Sequence, residues 1–301
     1  MSASSPSPLS AWVMASRPKT LFASISPVLL GTALAYSRGL GDGVAACLAF
    51  LGAIFIQIGT NFANDYWDAK KGADRADRLG PVRVTSAGLL KPRTVFLGMA
   101  FCFAVASLAG LWLIARAGWP VAVIGIVSIL CGILYTAGPF PLAYVGLGDL
   151  FTFIFFGLVA TSGTYFVEAR EFSMTSLILG AVPGFYSVVL IALNNLRDRE
   201  SDLLSNKKTL AVRFGADFAR WEIALCLFAP CLVPLWLWHD GLLDWWMAVV
   251  CFLPAILHGL AVGSAVFRIR DMREINRVFP LTANASLSMA VVISLFLLTR
   301  K

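Results

Sequence analysis

Asn61, Asn64, Asp65 and Asp68 follow one another at i, i+3, i+4 and i+7, the spacing that gathers side chains on one face of a helix. Gly72 continues that face at i+11. A second set, Asn194, Asp198 and Asp202, recurs at i, i+4 and i+8, again a single stripe. Carboxylates one turn apart repel each other, so a bare stripe of this kind weakens its own helix. A divalent cation removes that cost. Asp and Asn oxygens, with waters and phosphate oxygens completing an octahedron, make a Mg²⁺ arrangement suited to a diphosphate. Two facing stripes would hold two or more such ions with a diphosphate bridging them. Any one of these acids, taken alone, reads equally well as a solvated loop acid paired with a neighbouring Lys or Arg. The neutral amides argue otherwise, because surface ion pairing has no use for Asn at the end of an apolar segment, where polar groups mark a functional cavity. Among the interleaved cations Arg75, Arg78, Arg83, Lys91, Arg197, Lys207 and Lys208, Arg83, Arg197 and Lys207 are singled out for their proximity to the clusters. These are the ones expected to reach phosphate oxygens that no metal claims.

The elements that must position these residues are membrane helices. Of 301 residues, 58% are hydrophobic and 14% charged, and the mean hydropathy is +0.79. A soluble chain of this length could not bury so much apolar surface, and the composition reads as an all-α polytopic membrane protein. About 20 apolar residues span a bilayer core. On that measure nine segments are expected, near 20–37, 44–64, 94–115, 119–135, 148–167, 173–194, 221–238, 243–263 and 279–299. Residues 1–14 read as a mobile tail without the basic region of a signal peptide, and 15–301 as a single transmembrane domain. The Gly/Pro-rich stretch 136–148 must break the helical pattern.

Charge fixes the orientation. With the N-terminus cytoplasmic, the tail and the connections on its side hold nineteen of the twenty-four Lys and Arg. That bias is a positive-inside signal and accounts for the net charge of +7 without any nucleic-acid partner. Four crossings separate the two stripes, an even number, so both are expected to emerge on the cytoplasmic side. The six cysteines lie in apolar segments without C-x-x-C spacing and indicate neither disulfides nor a metal site. His258 sits in an apolar run and reads as a packed or polar-bonded helix residue, His239 lies at the far membrane end, and the Asn284–Ala285–Ser286 sequon falls inside the ninth segment.

"NDYWDAKKGAD" (64–74) and "DRESD" (198–202) resemble the two aspartate motifs of the UbiA superfamily of intramembrane aromatic prenyltransferases. "ASRPKTL" (15–21), "YTAGPFPLAYVGLGD" (135–149) and "NNLRDRESDLLSNKKTLAVRFG" (194–215) resemble its branch that prenylates 1,4-dihydroxy-2-naphthoate in menaquinone synthesis. The similarity spans essentially the whole chain. It implies about nine helices around a central cavity opening to the cytoplasm, in a bacterial cytoplasmic (inner) membrane. Carried over residue by residue, it assigns Asn64, Asp65, Asp68, Asp198 and Asp202 to Mg²⁺–diphosphate binding, with the four aspartates as the catalytic set. Asn61, Asn194 and Asn195 support them. Many members carry a third aspartate four residues beyond Asp68, where this chain has Gly72, and Asp74 stands two further on.

The chemistry so implied is dissociation of a polyprenyl diphosphate, with Mg²⁺ and cations neutralising the leaving group. Aromatic faces then stabilise the allylic cation, and Tyr135 and Tyr144 are the expected ones. The aromatic acceptor attacks through its carboxyl-bearing carbon with loss of CO₂, and Asp149 is expected to orient it. The lipid bilayer holds the isoprenoid tail. Other acceptors of the same superfamily (4-hydroxybenzoate, homogentisate or a chlorophyllide) share the diphosphate machinery and form the alternative reading. A cation-coupled secondary transporter is a remote one, because its carboxylates would lie near the midplane rather than at one face.

Overall fold

The computed structural model describes residues 6–72 and 79–300, with the side chains of residues 19 and 22 set aside. Asp74, Arg75, Asp77 and Arg78 lie outside the described residues. Among the described residues the regular elements are helices: α1 (Pro8–Ser16), α2 (Pro18–Ser37), α3 (Gly43–Lys70), α4 (Pro92–Ala117), α5 (Trp119–Leu134), α6 (Gly148–Ala169), α7 (Met174–Arg197), α8 (Arg199–Leu204), α9 (Leu210–Phe214), α10 (Ala216–His239), α11 (Trp245–Arg268) and α12 (Met272–Thr299). Among the described residues seven of these, α3, α4, α6, α7, α10, α11 and α12, are long and apolar enough to cross a membrane. The two remaining expected segments correspond to shorter apolar helices, Ala23–Ser37 within α2 and Trp119–Leu134.

α1 starts within the stretch expected as a tail; it is capped by Ser7, whose hydroxyl accepts the Ser10 N–H at 3.2 Å, and buries Ala11 and Ala15. Its Trp12 ring packs 5.2 Å from Phe62, and Gly98 of α4 makes room for it, since a Cβ there would sit 2.6 Å from the indole. Arg17, left-handed at φ 52°, turns the chain between α1 and α2, where Pro18 disfavours helical geometry in the residue before it.

The connections sort onto two poles. At one, the side chain of Asn276 donates to Leu79 O at 3.2 Å, Arg213 to Val145 O at 2.9 Å and Lys71 to Thr136 O at 2.6 Å. At the other, Arg38 donates to Tyr165, Ser173 and Thr175, each at 3.0 Å, and Arg116 pairs with Asp42. Asp42 also caps α3 through the N–H groups of Val44 and Ala45, and the Ala45 N–H holds its carboxyl below the ordinary value. The first of these poles carries the basic connections and both stripes.

In lipid, apolar surface does not by itself drive helices together, so close packing must. The most buried helix is α7, around whose Leu179, Val182, Tyr186, Val189 and Leu193 the main core forms. It meets α6 at Gly157, Gly180 and Gly184. A Cβ on Gly157 would stand 2.5 Å from Gly180 O, so the backbones touch only because all three residues lack one. The contact coincides with a π-helical turn, Ile154–Val159, inside α6. Pro27, Pro183 and Pro254 sit inside helices, as membrane helices tolerate.

Candidate active site at the basic pole

The first stripe forms the last turns of α3 as its spacing requires, and Asn61, Asp65 and Asp68 are all buried. Each has a distinct set of partners. Asp68 Oδ2 pairs with Arg83 Nη2 at 2.8 Å, and Asp68 Oδ1 accepts the Tyr144 hydroxyl at 3.0 Å. Asp65 accepts two backbone N–H groups, Val84 at 3.0 Å and Thr85 at 2.9 Å. It therefore folds the connection after residue 79 back over α3 and delivers Arg83 to Asp68. Asn64 Oδ1 accepts the Thr136 hydroxyl at 3.1 Å. Asn61 turns the other way, its amide donating to Ser16 O at 2.9 Å and Thr20 Oγ1 at 3.3 Å.

The second stripe ends α7 and enters α8. Arg197 grips Asp198 through two bonds of 2.8 and 2.7 Å, and also donates to Asn194 Oδ1 and Asn276 Oδ1, each at 2.9 Å. A fork-to-fork pair of this kind is among the stronger hydrogen-bonded ion pairs. Lys207 pairs with Asp202 at 3.5 Å. Deeper, Asn195 donates to the buried Asp149 at 3.4 Å.

Tyr144 joins the two stripes. Its hydroxyl meets Asp68, while its ring lies 4.9 Å from Lys71 Nζ and 5.8 Å from Lys207 Nζ, the ammonium paired with Asp202. The backbone around it is held by Lys208 N–H donating to Tyr144 O at 3.0 Å. Asp68, Arg83, Lys71, Tyr144, Lys207 and Asp202 are thus gathered at one place, whereas Asn61 is spent on α1 and α2. Lys71, Thr136 and Asn276 join the expected residues. Only Lys71 had a signal in its spacing, three residues past Asp68. Burial lowers the Lys71 ammonium from its ordinary value, with the Asp68 carboxylate opposing.

Among the described residues, no three His, Cys, Asp or Glu side chains converge as a metal site on their own. The donors are oxygens on short arms. Three of the four aspartates already hold a positive group against them, at 2.8 Å for Asp68, 2.7 Å for Asp198 and 3.5 Å for Asp202. This donor chemistry fits Mg²⁺, which binds through one or two carboxylates and takes its remaining ligands from phosphate and water, and does not resemble a His/Cys site for a softer ion.

Beneath this pole an apolar cavity of ≈ 220 Å³ runs between α3, α4, α5 and α6. Tyr135 and Leu142, from the connection that carries Tyr144, line its near end, and Leu113, Val121 and Val167 its far end. Gly148 gives the Tyr135 hydroxyl its place, for a Cβ there would be 2.9 Å from it. Small residues open the middle: Gly52 on α3, Gly110 on α4 and Gly125 on α5. His258 lies away from all this, its Nδ1 2.9 Å from Pro254 O, a polar-bonded helix residue as expected. The six cysteines are free.

A model described as the UbiA prenyltransferase family matches residues 24–290. The chain is 36% identical over 235 residues, 76% of each protein, to "1,4-dihydroxy-2-naphthoate octaprenyltransferase" of Escherichia coli (strain K12). It is 40% identical over 205 residues (68% of this chain, 70% of that one) to the protein of the same name from Mycobacterium tuberculosis. A solved UbiA homolog from Archaeoglobus fulgidus superposes with a TM-score of 0.68 at 12% identity, covering 96% of this chain and 100% of that one. The same homolog bound to DMAPP and Mg²⁺ gives 0.64 at 12% identity, covering 93% and 99%.

Proposed function

The chain belongs to the UbiA prenyltransferase family, and on that premise we propose that it transfers a polyprenyl group from an allylic polyprenyl diphosphate to 1,4-dihydroxy-2-naphthoate, releasing CO₂ and diphosphate and giving demethylmenaquinol. The names of its relatives support the acceptor. The observation that carries the chemistry is the meeting of Asp68, Tyr144, Lys207 and Asp202 beside an apolar cavity. A diphosphate needs the first and an isoprenoid tail needs the second.

Asn64, Asp65, Asp68, Asp198 and Asp202 would hold Mg²⁺, which when bound neutralises the charge that grows on the departing diphosphate. Arg83, Lys71 and Lys207 supply fixed positive charge to its remaining oxygens. The cavity keeps water from the allylic carbon, and the Tyr135 and Tyr144 rings offer their faces to its developing positive charge. The carbon–oxygen bond breaks with its electron pair going to diphosphate. A carbon–carbon bond then forms at the ring carbon bearing the carboxylate, and CO₂ departs leaving its electron pair in the ring. The overall substitution releases no proton. It therefore requires no general base.

The chain is an integral membrane protein. The Lys/Arg bias supports a cytoplasmic placement of the basic pole and the N-terminus, in a bacterial inner membrane. The test is rate measurement on purified protein with dihydroxynaphthoate and 4-hydroxybenzoate side by side, a polyprenyl diphosphate and Mg²⁺. Naphthoate product that vanishes with a chelator and returns with Mg²⁺ is the expected result. Product from the benzoate alone overturns the acceptor assignment.

A further inference from the structure

Gln57 lies one turn before Asn61 on the same face of α3, which puts it about 12 Å of axial rise deeper than Asp65. It is 7% exposed, lines the apolar cavity, and its Oε1 has no hydrogen-bond partner among the described residues. The direction of that oxygen follows from its neighbours. The Thr20 hydroxyl donates to Arg17 O at 3.0 Å, so its only proton is committed. It then accepts from the Asn61 amide at 3.3 Å and from Gln57 Nε2 at 3.4 Å. With its NH₂ fixed on Thr20, Gln57 has its carbonyl turned away from α2. The wall of the same cavity also carries Thr60, Tyr135 and Thr152.

A desolvated amide oxygen without a donor is costly to keep. An isoprenoid tail cannot relieve that cost, since it has no donor. A hydroxyl on an aromatic ring can. Resting on the reading above, we infer that Gln57 Oε1 accepts a hydrogen bond from a ring hydroxyl of the aromatic acceptor, fixing the ring at the polar end of the cavity. Such a bond draws the hydroxyl proton outward and so enriches the ring carbon that attacks. It also selects for acceptors with a hydroxyl at that point, because a site built for one rejects a ring lacking it.

The experiment uses the full chain in detergent or nanodiscs with Mg²⁺, a saturating polyprenyl diphosphate, and as acceptors 1,4-dihydroxy-2-naphthoate and its two mono-O-methyl ethers. Gln57→Met is expected to raise the naphthoate KM roughly 10-fold, the value of one such bond, while the diphosphate KM stays the same. In wild type one of the two ethers loses activity by a similar factor, and in Gln57→Met that ether loses nothing further. Gln57→Asn keeps the carbonyl and recovers part of the loss. It serves also if the Met variant does not accumulate. An unchanged naphthoate KM in both variants, as when only a water satisfies Gln57, overturns the inference, and so does an equal rise in both KM values. A wild-type chain that leaves the naphthoate unprenylated instead overturns the acceptor assignment itself.

Discussion

Replacing Tyr144 by Phe removes one oxygen and leaves the ring. The oxygen lost is the donor to Asp68 Oδ1 at 3.0 Å, and the ring kept is the face beneath Lys71 and Lys207. A hydrogen bond to a charged group contributes about 1.5–3 kcal/mol, which as transition-state stabilisation is roughly 10- to 100-fold in rate. Tyr144→Phe is thus expected to lower kcat/KM for the polyprenyl diphosphate by that factor, without loss of folded protein. Tyr144→Ala also removes two cation–ring contacts, each worth about 0.5–2 kcal/mol, and is expected to fall further. The assay is initial-rate kinetics against diphosphate concentration at fixed acceptor. A double-mutant cycle with Asp68→Asn then isolates the pair, with an expected coupling of about 1–2 kcal/mol. A Phe variant within twofold of wild type and a coupling near zero would refute Tyr144 as the link between the stripes.

Asp65→Ala leaves the N–H groups of Val84 and Thr85 without their acceptor, at about 1–3 kcal/mol each, and is expected to lose both stability and transfer. Asp65→Asn keeps one of the two acceptor oxygens, so a smaller loss of thermal stability than in Asp65→Ala with transfer abolished would separate the two roles; retained turnover in Mg²⁺ would count against Asp65 as a metal ligand. Gly110 has no atom within 4 Å of an added Cβ and lines the cavity, about 27 Å along α4 from Pro92. Gly110→Leu is expected to depress turnover of long polyprenyl diphosphates while sparing geranyl diphosphate, and equal loss on both would refute the assignment of the cavity to the tail. Arg38→Ala removes bonds to Tyr165, Ser173 and Thr175 at the opposite pole. A lower thermal midpoint with unchanged turnover per folded molecule is expected, read by melting curves alongside rates.

The features legible in the sequence are those that repeat at helical period or follow from counting crossings. Spacing alone makes Asn61, Asn64, Asp65 and Asp68 one helical stripe and Asn194, Asp198 and Asp202 another, and the parity of crossings puts both stripes at one pole. Bonds that cross chain distance without a repeating pattern left no such trace. Asp65 holds backbone 19 and 20 residues away, and any sequence at 84–85 would offer the same N–H groups. Asn61 belonged to the stripe by period, yet its amide is taken by Ser16 and Thr20, because α1 folds down beside it. That helix was hidden in a stretch of Ser and Pro that resembles a tail, and its anchor, Trp12 against Phe62 and Gly98, joins residues far apart in the chain.

The cavity exists because side chains are left out. Gly52, Gly110 and Gly125 sit inside unbroken helices with open space where a Cβ would go. In water each would weaken its helix by up to about 1 kcal/mol; in lipid the backbone has nothing else to bond and stays helical regardless. Volume in this protein is therefore written one codon at a time, on helices whose course need not change. The aspartates belong to the helix ends at one pole, and the glycines to the middles of α3, α4 and α5. On the function proposed above, a lineage could alter the length of tail it accepts without touching the residues assigned to the diphosphate. Chemistry and measure can be inherited separately.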